Sequence, residues 1–132
     1  MRRKKKLRVF IADASPVVLE RMADLLRDIT DAELVGLASD ASIAARRIQS
    51  IKPDAVILGL LMRGGNGLDV LRAIQAGHLH LQVLFCTTNP YPQYREECMN
   101  AGANFFLDKS ADFEKIPAIL RSLIKKDGNL SG

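Results

Sequence analysis

Pro53-Asp54-Ala55-Val56-Ile57-Leu58-Gly59-Leu60-Leu61-Met62-Arg63-Gly64-Gly65-Asn66-Gly67-Leu68 decides how the rest of the chain is read. Its first half is an unbroken apolar run bounded by Pro-Asp on one side and glycines on the other. That pattern predicts a strand buried on both faces, at the centre of a sheet. In open α/β folds, ligand chemistry sits in the crevice outside the carboxyl ends of such strands. Position 59 stands at that end, and glycine has no side chain with which to do chemistry there.

Working outward, Leu7 to Ala12 reads as a strand with Asp13 at its exit. Ser15-Pro16 opens a helix, serine as N-cap and proline at the first position. Val18, Met22, Leu25 and Ile29 are expected to form its buried stripe. Glu33 to Ala38 predicts a second strand, and Asp40 caps a helix carrying Ile43, Ala44, Arg47, Ile48 and Ile51. On the other side, Gly64, Gly65 and Gly67 predict a loop, and Leu68, Leu71 and Ile74 a helix ended by Gly77. Leu81 to Cys86 and Ala103 to Leu107 complete five strands. Between them Pro92 opens a helix with Tyr94, Cys98 and Ala101 on one face. Phe113, Ile116, Leu120 and Leu123 mark the last helix, and Pro117 predicts a tight turn before its regular part. Five strands alternating with five helices demand a mainly parallel sheet covered on both faces.

The 132 residues predict one domain, its folded body spanning 7–126, with a basic arm at 1–6 and a tail at 127–132. Such a length buries roughly two thirds of the unfolded surface without staples. The net charge of +4 misleads, because six of the nineteen basic residues lie within Met1 to Arg8. The remainder has 13 basic against 15 acidic residues, a balance of −2. This excludes a broadly basic surface, and nucleic acid is not an expected partner. No run approaches the roughly 20 apolar residues of a membrane span. The short apolar stretch after the arm lacks a cleavage pattern, so a cytoplasmic protein is expected. Cys86 and Cys98 read as reduced, buried thiols.

These pieces resemble the phospho-accepting receiver domain of two-component response regulators across nearly the whole chain. The resemblance rests on Val9 to Pro16, Pro53 to Leu68, Thr87-Thr88 and Ala101 to Lys109. It implies a flavodoxin-like (βα)5 doubly wound three-layer sandwich with a five-stranded parallel sheet. It also implies two adjacent acids at 13 and 14 for magnesium, an acceptor aspartate at 59, a hydroxyl at 87 and a lysine at 109. Here Asp13, Thr87 and Lys109 match, while Ala14 and Gly59 depart, and Arg63 replaces a proline usual in that loop. The resemblance therefore implies a degenerate, stand-alone receiver, a pseudo-receiver that is not an enzyme.

Phosphoryl transfer needs an oxygen nucleophile and a hard cation, and magnesium prefers several oxygen ligands including carboxylates. Weak or absent magnesium binding is expected. Asp54 lies five residues before position 59, roughly 16 Å at about 3.3 Å per residue, so it is at the wrong end. Asp69 is beyond the loop, and Asp108 alternates away from Lys109. Asp13 suits either a turn cap or a vestigial pocket, Thr87 either a loop partner or the same pocket. A lysine at the mouth of a crevice wants an anion, and Asp13 is the expected partner of Lys109.

Function is then expected through protein contact with a histidine kinase, another regulator or a target enzyme, or with a second copy of the chain. Tyr91, Tyr94 and Phe106, among only seven aromatic residues, mark the expected switch or interaction face. Phe106 matches a switching aromatic of receivers, although an aromatic in a final strand is more often plain core. The alternative is a small-anion or nucleotide-type sensor, in which Arg63, Lys109, Thr87 and Thr88 bind a phosphate in the vacated pocket.

Overall fold

A computed structural model describes residues 5–131, with side chains described through Lys125. The chain runs β1 (Leu7–Ala12), α1 (Pro16–Arg27), β2 (Ala32–Ala38), α2 (Ala41–Ile51), β3 (Ala55–Gly59), β4 (Leu61–Met62), β5 (Gly65–Asn66), α3 (Gly67–Ala76), β6 (Gln82–Thr87), α4 (Pro92–Asn100), β7 (Phe105–Asp108) and α5 (Ile116–Ser131). The five long strands form one parallel sheet in the order β2-β1-β3-β6-β7. All five residues of β3 are buried, as its apolar run demands at the sheet centre.

Strand alternation sends successive side chains to two cores. Val9, Ile11, Ala55, Ile57, Leu84 and Cys86 pack with α1 and α5. Phe10, Val56, Leu58, Val83, Phe85 and Phe106 pack with α2, α3 and α4 on the other face. The result is three layers, with the order of connection reversing between β1 and β3. There the crevice outside the strand ends falls.

The helix starts follow their caps. The Ser15 hydroxyl accepts the Val18 N–H at 3.3 Å, and the Asp40 carboxylate accepts that of Ile43 at 3.0 Å. A 3-10 turn over Phe113–Lys115 precedes α5, the tight turn that Pro117 implies. Helix α5 continues to Ser131, so residues 127–131, set apart as a tail, are helical backbone.

Several expectations need correction. Of the expected α1 stripe, Met22 and Ile29 are buried, while Val18 and Leu25 stand at its edge and Leu19, Ala23 and Leu26 fill the buried face. Ile43 of α2 is exposed at 42%. Arg47 of the same helix is exposed too, and lays its guanidinium 5.5 Å from the Phe10 ring centre while donating to the Leu37 carbonyl. The glycine-rich loop after β3 contains a two-stranded antiparallel hairpin, β4 with β5. Its tip is tied to the start of α2, because the Ala41 N–H donates to the Arg63 carbonyl at 2.9 Å. Residues 1–4 of the basic arm, and the expectation that the arm is mobile, lie outside the described residues. Lys5 and Lys6 are exposed.

Candidate functional site

Asp13, Gly59, Thr87 and Lys109 stand at or just past the carboxyl ends of β1, β3, β6 and β7, along one edge of the sheet. Asp13 shares the parity of Val9 and Ile11, and Lys109 that of Phe105 and Leu107, so both belong to the α1–α5 side. The Lys109 ammonium donates to Asp13 Oδ2 at 2.6 Å. The Asp13 side chain is 2% exposed and that of Lys109 is 19% exposed, which makes this a largely desolvated ion pair. The second carboxylate oxygen, Oδ1, accepts the Ser15 N–H at 2.9 Å and closes the turn into α1. Asp13 thus caps a turn and pairs a charge at once.

Gly59 lies against this carboxylate. A Cβ built at position 59 would come within 2.7 Å of Asp13 Oδ2. Gly67 is needed beside it for a different reason, since a Cβ there would stand 2.2 Å from the Gly59 carbonyl oxygen. Thr87 is buried, and its hydroxyl oxygen accepts the Asn89 N–H at 3.0 Å. Its parity is that of Val83 and Phe85, so it follows them toward the α2–α3–α4 side, away from the ion pair. Ala14 is half-buried and supplies only a methyl group.

Arg63 and Thr88 are exposed, and among the described residues no hydrogen bond joins either to Asp13 or Lys109. The Arg63 backbone instead bridges to Asp40. Asp54 accepts the Arg8 N–H at 2.8 Å at the opposite edge, and Asp108 accepts the N–H groups of Ser110 and Ala111. Asp69 accepts the Asn66 N–H in a capping box at the start of α3. Among the described residues no group of three or more His, Cys, Asp or Glu side chains could hold a metal ion. Cys86, opposite Gly59 in the ladder, is fully buried, and burial pushes its thiol up to about 12 against the downward pull of Lys109. It is inert as a nucleophile at neutral pH. Cys98 is buried on the other face of the sheet, which separates the two thiols.

Of the aromatic trio, Tyr91 is 53% exposed and its ring centre lies 5.9 Å from that of the half-buried Tyr94. Phe106 is only 8% exposed and belongs to the α2–α3–α4 core, so it is not part of that surface. Two contributors were not legible as such in the sequence. Asn66 caps α3, and Arg8, counted with the basic run, donates to the Ile51 and Lys52 carbonyls at the end of α2. An Asn three residues before an acid is the signal that marks the first. Nothing local marks the second.

Over 85 residues the chain is 35% identical to a protein-glutamate methylesterase/protein-glutamine glutaminase of Rhodopseudomonas palustris, covering 64% of this chain and 23% of that protein. It is 27% identical over 119 residues to the transcriptional regulatory protein YvfU of Bacillus subtilis, covering 90% of this chain and 60% of that protein. The chain thus spans less than two thirds of the length of each. Among solved structures, the signal receiver domain of the response regulator NarL from Mycobacterium tuberculosis superposes with a TM-score of 0.84 at 26% identity, covering 92% of this chain and 98% of that one. Residues 9–121 match the response regulator receiver domain family. By fold, by strand-end residues and by that match over most of its length, the chain belongs to the response regulator receiver domain family.

Proposed function

We propose that this chain is a pseudo-receiver, a signalling module of two-component (phosphorelay) transduction that acts by protein–protein contact without accepting phosphate at the end of β3. The observation that supports this most is the closed Asp13–Lys109 pair at 2.6 Å beside Gly59. An acceptor there needs a carboxylate nucleophile and a neutralising cation. Position 59 supplies no oxygen. Magnesium fits the donor set poorly, because Asp13 is its one carboxylate and both of its oxygens are engaged, by Ser15 and by Lys109. Weak or absent magnesium binding and a non-enzymatic role follow from this reading.

The partner is a protein: a histidine kinase, another regulator, a target enzyme or a second copy of the chain. Its contact surface on this reading is α4 with the exposed Tyr91 and the Tyr94 beside it, since Cys98 is the only fully buried residue of that helix. Nucleic acid is a poor candidate given the −2 balance of the chain beyond Arg8. Among the described residues no helix is long and apolar enough to cross a membrane, in keeping with a cytoplasmic role.

An anion sensor built on Arg63, Lys109, Thr87 and Thr88 ranks lower, because the ammonium and the Thr87 hydroxyl oxygen already have partners. Thermal melting with inorganic phosphate, nucleotides and magnesium separates the two. The module reading expects an unchanged melting temperature. A rise that grows with ligand concentration would replace it with the sensor.

A further inference from the structure

We infer that Gly59 is a positioning residue: its lack of a side chain lets Asp13 and Lys109 close into a fixed clamp across the sheet edge. The sheet order places β3 and β6 between β1 and β7. Asp13 and Lys109 therefore start three inter-strand spacings apart, about 14 Å at 4.7–4.9 Å per spacing. Their side chains meet only by reaching toward one another past the ends of the two intervening strands. Gly59 is the last residue of β3, and the space a Cβ would take there is held by Asp13 Oδ2, the atom that Lys109 grips.

The carboxylate cannot simply rotate aside. Its other oxygen is fixed by the Ser15 N–H at 2.9 Å, and the side chain is 2% exposed, with Gly59 Cβ positions also 3.3 Å from its Cγ. Any side chain at 59 must therefore loosen the ion pair, the turn into α1, or both. The clamp joins residues 96 positions apart and fixes the two outer contributors to the site against each other. In signalling, its consequence is that a partner meets one preset edge. The inference rests on the proposed function only for that consequence. Its test uses no phosphodonor, so clamp and phosphate-independence can fail separately.

Gly59→Ala decides the sign. An alanine in a strand normally stabilises relative to glycine, by removing backbone freedom from the unfolded chain. The clamp instead predicts a melting temperature lower by about 5 °C or more. In an Asp13→Ala background the same substitution should be neutral or stabilising. An equal or higher melting temperature for Gly59→Ala in the parent, or the same loss in both backgrounds, overturns the inference. A second readout needs only the parent: mild labelling with an amine-reactive reagent, followed by peptide mass analysis. The clamp predicts that Lys109 labels several-fold more slowly than the exposed Lys125, and equal rates would overturn it.

Discussion

Among the described ion pairs that of Lys109 is the most buried, because it compensates a carboxylate at 2% exposure. Breaking such a pair from one side leaves the other charge desolvated, which costs more than the pair itself contributes. Lys109→Met is expected to lower unfolding stability by about 2–3 kcal/mol in urea titration, discounted from the fully buried case because the ammonium is partly solvated. No change would mean that Asp13 is sufficiently solvated or held by Ser15 alone. The Cys86 thiol gives a pH signature. Its native pKa is raised from 9.0 to about 12, so the folded state holds a proton that the unfolded state releases. That contribution is intact below pH 9 and lost as pH rises toward 12. Replacing Cys86 with alanine should flatten the decline of stability over this window, and an unaltered slope would contradict the assignment. At this scale the site was partly legible: Asp13, Gly59 and Lys109 announce themselves at strand ends. That Thr87 turns to the other face and Phe106 enters the core depends on strand parity, which shifts with each one-residue boundary error. Here β6 and β7 end one residue later than the apolar runs alone imply.

Elements were read where short-range chemistry speaks. Ser15-Pro16 and Asp40 mark helix starts because a side-chain oxygen can satisfy an orphan N–H two or three residues on. The hairpin of β4 and β5 was missed because two residues per strand leave no periodicity and its glycines look like any loop; Gly64, at φ 71°, makes its turn. The replacement of Val18 and Leu25 by Leu19 and Leu26 in the α1 stripe has a simple cause. Leu19 and Leu26 are apolar neighbours of Val18 and Leu25, and only packing against the sheet decides between the two stripes. Two substitutions test the contributors that composition concealed. Asn66→Ala removes the α3 cap and should cost about 1 kcal/mol. Arg8→Ala removes two hydrogen bonds to the end of α2 and should cost a similar amount, about 1 kcal/mol. If Arg8→Ala were silent in denaturant titration, that residue would belong with the basic run after all.

The whole molecule combines the receiver fold with a glycine at the end of its central strand. The alternation of apolar runs and caps made the parallel sheet legible, since only one arrangement covers five buried strands on both faces. Strand-end chemistry depends instead on what the neighbouring loops hold in place, and the grip of Asp13 on both Ser15 and Lys109 required coordinates. Restoring an acceptor alone is therefore not expected to restore function. Gly59→Asp places its Cβ against Asp13 Oδ2 and leaves position 14, an alanine, without a carboxylate. Paired with Ala14→Asp, it should gain measurable phosphorylation over either single variant. Efficient phosphorylation of Gly59→Asp by itself would show that one loss, not two, separates this chain from an accepting receiver. The most direct measurement is on the unaltered protein: incubation with a small phosphodonor and magnesium, followed by intact-mass analysis. The account predicts an unchanged mass, and an acid-labile gain of one phosphoryl group mapped to the strand ends would contradict it.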